Sequence, residues 1–174
     1  MAQANVQPRV DVQAGLLALE EDLPRVLEVL DATSLDALGW TRPNKLTLLI
    51  PIAGKYQNKE EAFLLKLGFQ AYRMWPPSAQ FVNPQSGAYE QRVDRHHVPK
   101  LTHSGCHTHP EYGLPTGAQV QLVCCSATLE FYEVLHSVES HHVWRETDTF
   151  LTTLNAIRLA FQSSFQGRFE PYGQ

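Results

Sequence analysis

The sequence predicts an α+β domain in which a helix comes first, a meander of antiparallel strands follows and helices close the chain. Three observations carry that reading. Residues 11–22, DVQAGLLALEED, have helical apolar spacing. Short apolar runs punctuated by turn residues occupy residues 46–82. The most regular helical pattern, TDTFLTTLNAIRLAF, comes late, at residues 147–161. Strands gathered in the middle do not fit an alternating βαβ fold.

Taken in order, residues 1–10 read as a loose polar tail and 11–174 as a single domain. Asp11 is placed to cap the first helix, with Leu16, Leu17 and Leu19 supplying its core side. Pro24 is expected to interrupt that helix, leaving residues 25–38 as a second helical piece or a loop. Leu46–Ile52 and Glu61–Gln70 read as hairpin partners around a turn at Gly54–Lys59. Pro76-Pro77 marks a rigid corner before a short strand at Ala79–Val82. Residues 83–117, rich in Pro, Gly, His and Tyr, read as a long irregular stretch. Gln119–Cys124 is a strand candidate and Thr128–His136 a short helix or turn. The last helix, with Thr147 as its expected cap, puts Phe150, Leu151, Leu154, Ile157 and Phe161 on one face, with Arg158 at the edge of that face. Residues 167–174 are expected to be coil.

With 174 residues, 43% hydrophobic and 18% charged, the chain has the balance of one globular domain. A net charge of -4 argues against a nucleic-acid-binding face, which is usually basic. No apolar run is long enough to span a bilayer, and the first residues lack a secretory signal core, so no membrane partner and a cytoplasmic location are expected. There are three cysteines, Cys106, Cys124 and Cys125. Neighbouring Cα atoms lie about 3.8 Å apart, too close for an unstrained disulfide. Reduced thiols are therefore expected.

The residues able to carry chemistry fall in two groups. Cys124-Cys125-Ser126 ends a strand, and a thiolate is a strong nucleophile that needs no metal; against this, free cysteines often serve as small buried hydrophobes. The histidines His96, His97, His103, His107 and His109 precede the pair, and His136, His141 and His142 follow it. Groups of this kind accept protons near neutral pH. His103, Cys106, His107 and His109 also crowd together as zinc donors would, but without a second ligand pair of convincing spacing. No metal and no cofactor is assigned.

In sequence order, these segments resemble the ubiquitin-conjugating (UBC) fold. The resemblance rests on Leu64 to Pro84, with Trp75-Pro76-Pro77 as the proline corner and Phe81 ending a strand; on His109-Pro110-Glu111 in the place of a His-Pro-Asn motif; and on Leu122-Val123-Cys124 before Trp144 and the last helix. Leu122-Val-Cys-Cys-Ser-Ala-Thr-Leu-Glu-Phe-Tyr132, followed by His136 and Trp144, is similar to a run in divergent bacterial members of that family. The resemblance implies a UBC-like fold with one meander sheet of about four strands. It implies an enzyme that accepts a ubiquitin-like protein from an activating enzyme as a cysteine thioester and passes it to an amine on a target protein. Bacterial members stand beside a deconjugating peptidase in operons that resemble anti-phage defence systems, which implies the same partners here. Cys124 aligns with the family's nucleophile, Cys125 is the alternative nucleophile, and His109 is a supporting residue. The sequence departs from the pattern in having Glu111 where the family has Asn, a carboxylate that would repel an oxyanion unless protonated; His107 or His109 could take over that role. If the strand runs through both, alternation turns Cys124 and Cys125 to opposite faces, so one is expected to be buried and one accessible, without saying which. Three other readings stay open: an inactive UBC-fold binding module, a zinc-binding adaptor or enzyme built on Cys106 and its histidines, and a Cys–His hydrolase.

Overall fold

A computed structural model of the chain describes residues 10–134 and 143–173. Helix α1 (Val12–Val29) starts at the expected cap, Asp11, whose side chain accepts a hydrogen bond from the Ala14 N–H at 3.0 Å. Its buried side is Gly15, Leu19, Asp22, Leu23 and Val26, at helical spacing. Leu17, expected on that side, is 61% exposed; it lies two residues before Leu19 and so about 200° away around the helix. Pro24 does not interrupt the helix as expected. It sits on the exposed side, as does Glu20, whose carbonyl loses its helical partner.

A four-stranded antiparallel meander follows, in the spatial order β1 (Thr41–Asn44), β2 (Thr47–Tyr56), β3 (Lys59–Gly68), β4 (Ser78–Val82). The β2–β3 register runs unbroken from Thr47↔Gly68 to Tyr56↔Lys59. Its loop is only Gln57-Asn58, both with positive φ (48° and 63°), the geometry of a tight hairpin turn. The buried Pro76 and Pro77 turn the corner into β4 as expected.

The stretch 83–117 is not irregular. It contains α2 (Gln91–Asp94), a 3₁₀ turn at Arg95–His97, β5 (Pro99–His103) and β6 (Cys106–Gly113). With β7 (Gln119–Cys124) and β8 (Phe165–Arg168) these form a second antiparallel sheet in the order β7-β6-β5-β8, so part of the expected terminal coil is strand. Alternation is present in β6, but its inward positions are Cys106, Thr108 and Pro110 rather than Val or Ile, which hides the strand from a search for apolar runs. Helix α3 (Leu129–Glu133) is short. Helix α4 (Phe150–Ser164) starts three residues later than expected, with Thr149 at the cap position and no side-chain cap.

Helix α4 packs against strands of both sheets, and a single apolar cluster joins it to α1 and to the two sheets. One pole of this core is a ring cluster of Phe63, Phe81, Phe161 and Phe165, with Phe63 centroids 5.6–6.2 Å from the other three. Gly54 makes this possible: a Cβ there would stand 2.6 Å from the Phe165 ring. Gly15 does the same for α1, where a Cβ would meet the Phe69 carbonyl. The other pole is polar. Asp22, fully buried, accepts from the Tyr72 hydroxyl at 2.5 Å and from Arg73 Nη2 at 2.8 Å. The Tyr72 oxygen in turn accepts from the Phe150 N–H at 2.9 Å, so one network ties α1, the β3–β4 corner and the start of α4. Burial and the Asp22 carboxylate push the Tyr72 hydroxyl far above its ordinary value.

The free edge of β4 is closed by side chains. The Phe81 N–H donates to Gln121 Oε1 at 2.6 Å, and Gln121 Nε2 donates back to the Phe81 carbonyl at 2.9 Å. The Ala79 N–H donates to both carboxyl oxygens of Glu130. Edge groups that would otherwise invite another strand are thus satisfied, and β7 and α3 are anchored to the first sheet.

Candidate active site

The site begins with the antiparallel register of β6 and β7. His107 lies opposite Cys124, Thr108 opposite Val123 and His109 opposite Leu122. Continued one step, this register sets Cys106 opposite Cys125. Opposed residues share a sheet face and successive residues alternate. Cys106, Val123 and Cys125 therefore turn into the main core cluster, while Leu122 and Cys124 turn to the other face with His107 and His109.

The three thiols have different surroundings. Cys106 and Cys125 are hydrogen-bonded to each other, and the Ala127 N–H donates to Cys125 Sγ at 3.5 Å. The Cys106 bond is the main cause holding the Cys125 thiol below its ordinary value, with burial working against it. Cys106 is correspondingly pushed well up, first by that same bond and then by burial. Cys124, 5% exposed, is buried like Cys125, so neither cysteine is the accessible one that alternation leads one to expect, and its thiol is pushed up to about 11, chiefly by burial and secondarily by Cys125.

The turn after Cys124 is pinned at each residue by groups that lie within the Cys-Cys-Ser-Ala-Thr-Leu-Glu-Phe-Tyr run or pack against it. Thr128, fully buried, donates its hydroxyl to the carbonyls of Val123 at 2.9 Å and Cys125 at 2.8 Å. Tyr132 donates to the Ser126 carbonyl at 2.8 Å and accepts from the Trp144 N–H at 2.9 Å. Trp144 is anchored through its indole N–H to the Arg73 carbonyl. Thr153 of α4 donates to the Ala127 carbonyl at 2.6 Å. Glu130 holds β4 as described. Its carboxyl is pushed up to about 8, desolvation outweighing the N–H donors it accepts. The sequence marks Thr128, Glu130 and Tyr132 only as parts of a motif, and gives no sign of Gln121 or Thr153, whose partners are far away along the chain.

The structure separates the histidines. The ring centroids of His107 and His109 are 5.0 Å apart, and His109 lies 5.4 Å from the Tyr112 ring. His107 is the histidine opposite Cys124, and His109 is two residues further along. Glu111 lies four residues from His107, on the order of 13 Å at about 3.3 Å per strand residue, and is paired with Arg95 at 2.9 Å. His103 accepts the Gly105 N–H in the β5–β6 turn. The His96 and His97 rings lie 4.1 Å apart at a tilt of 41° before β5, and burial, with His96 second, lowers His97. His136, His141 and His142 lie outside the described residues. The zinc-donor set does not converge, because Cys106 turns to the face opposite His107 and His109; among the described residues no group of three His, Cys, Asp or Glu side chains is arranged to hold a metal ion.

Fold and site together define a mixed α/β domain with two four-stranded antiparallel sheets and a cysteine–histidine pair where β7 enters a pinned turn. No protein-family model, no curated protein and no solved structure matches the chain. Among the described residues no helix is long and apolar enough to cross a membrane.

Proposed function

We propose that this chain is a conjugating transferase of UBC-like type, with Cys124 as its nucleophile. The observation that carries the reading is the placing of Cys124 at the end of β7, turned from the main core cluster, opposite His107, on a turn fixed by Thr128 and Tyr132. A fixed thiol beside a proton acceptor is what acyl transfer requires. Cys124 gives its proton to His107, which passes it on to solvent, and its thiolate attacks the thioester carbonyl that links a ubiquitin-like protein to its activating enzyme. The activating enzyme's thiolate leaves, and the acyl group stays on Cys124. A target amine then attacks that carbonyl, its proton passes to a nearby base such as His107, and the Cys124 thiolate leaves. The thioester is already activated, so the chemistry calls on no metal or cofactor.

The basic character of Cys124 sets it apart from a Cys–His hydrolase. Cys–His hydrolases depend on a thiol pushed down toward neutrality, and here the shift is upward. In thiol exchange the more acidic thiol leaves faster, so the basic Cys124 thiol favours loading over return of the acyl group to the activating enzyme. Glu111 stands too far along the strand to repel the oxyanion. The remaining partners in this reading are the target and a deconjugating peptidase, in a bacterial defence setting.

The test is a charging assay with the ubiquitin-like protein and activating enzyme encoded beside this chain, plus ATP. A reductant-sensitive adduct, absent in Cys124→Ala and present in Cys125→Ala, is the expected result. Binding of the modifier with no adduct would leave a binding module, and an adduct lost only in Cys125→Ala would move the nucleophile.

A further inference from the structure

Strand β1 covers only the start of β2, pairing Asn44 with Thr47 and Thr41 with Leu49. Beyond Leu49 the geometry of the β2–β3 hairpin fixes which backbone groups point outward. A two-residue turn makes Tyr56↔Lys59 a hydrogen-bonded pair, and the alternation of an antiparallel ladder then turns Ile52 and Gly54 toward β3. Ala53 and Lys55 direct their N–H and C=O groups the other way, and no described residue bonds to them. Pro51, which has no N–H, ends this open edge on one side.

A groove runs beside the edge. Its far wall is the flank of α4, where Arg158 and Gln162 stand one turn apart next to Phe161. Arg158 is half-buried and makes no ion pair with any described residue. Burial lowers its guanidinium from the ordinary value. Lys55, opposite Glu60 across the hairpin, is likewise in no ion pair with a described residue, but it is exposed, so Arg158 is the half-buried cation of the groove. Proline and lysine on an exposed edge are common means of keeping strands from pairing. This edge is set apart by the half-buried, unpaired guanidinium next to it.

We propose that the groove takes an extended peptide segment of a partner protein as an added strand on β2, with an acidic side chain of that segment paired to Arg158. Main-chain bonds to Ala53 and Lys55 would supply the docking, and the carboxylate–guanidinium pair the selectivity. A side-chain carboxylate fits better than a chain terminus, because β2 runs on from Lys55 into the exposed Gln57-Asn58 turn and the added chain has room to continue. This site is independent of the thiol chemistry proposed for Cys124.

The test is a selection of displayed random dodecapeptides on the intact protein, followed by titration of synthetic, end-blocked versions of the winners into isotope-labelled protein. The expected winners carry Asp or Glu, shift the amide signals of Ala53 and Lys55, and lose about tenfold in affinity in Arg158→Ala, with less lost in Arg158→Lys. A matching loss when the peptide's own acidic residue becomes its amide, with thermal unfolding of Arg158→Ala unchanged, completes the case. Overturning results are no enrichment, shifts mapping elsewhere, binding indifferent to Arg158, or recognition only of peptides with a free C-terminal carboxylate.

Discussion

Cys106 and Cys125 face each other across the β6–β7 ladder and share a hydrogen bond inside the core, one residue away from Cys124 and its opposite number His107. Two neighbouring cysteines thus belong to different environments. Replacing Cys125 by Ala leaves the Cys106 thiol without its partner and removes a buried sulfur, at a cost of about 1–3 kcal/mol. Urea unfolding checks this. Charging is expected to persist in that variant and to vanish in Cys124→Ala, whose stability changes less.

The upward shift of Cys124 has a direct kinetic reading. A thiol at about 11 is almost wholly protonated at neutral pH. Its alkylation by iodoacetamide is expected to be slow there and to rise roughly tenfold for each pH unit until the thiol titrates. Mass mapping of the modified cysteine gives the rate. A rate that levels off near neutrality would show a thiol activated in a way the burial of Cys124 does not provide.

Asp22 stabilises the fold only in company. Asp22→Ala removes the buried acceptor of the Tyr72 hydroxyl and one of the two carboxylates paired with Arg73, which keeps Glu21. The expected loss is about 1–3 kcal/mol, chiefly for the Tyr72 hydroxyl left without its buried acceptor. Tyr72→Phe, which leaves the Phe150 N–H without its acceptor, should cost about 1–3 kcal/mol. Denaturant midpoints measured at constant slope give both values.

Glu130 makes stability depend on pH. Its folded value, about 8, lies above the ordinary 4.5. The folded state therefore favours the protonated acid. Its contribution is complete below the ordinary value and is lost as pH rises through about 8. Stability measured by urea unfolding should fall between about pH 5 and about pH 8, and Glu130→Gln should flatten that slope. An equal slope in the variant would assign the pH dependence elsewhere.

The sequence carried three strands of the first sheet, the start of α1 and most of α4, since each has a local signal, but not β1, the full length of the β2–β3 hairpin or the part of α1 beyond Pro24. Asp11 is a cap, the β2–β3 pair is an apolar hairpin, Pro76-Pro77 is a corner, and α4 has a stripe. The second sheet was hidden because its inward residues are Cys, Thr and Pro. Pro24 misled because a proline on the solvent side of a helix costs less than one in its core. At the site, the cysteine pair and the histidine-rich stretch were visible as residue types. Their pairing was not, because register along β6 decides it, and His107 rather than His109 is the residue opposite Cys124.

The sequence by itself determined the order of the elements in the first half, the stripe of α4 and the opposite facing of Cys124 and Cys125, because periodicity and turn chemistry are local properties of the chain. Only the tertiary structure decided which cysteine joins Cys106 in the core, why Asp22 is buried, and that Glu130 and Gln121 close the edge of β4. Each of these depends on a partner many residues distant, and a contact of that kind exists only once register and packing have brought the two side chains together.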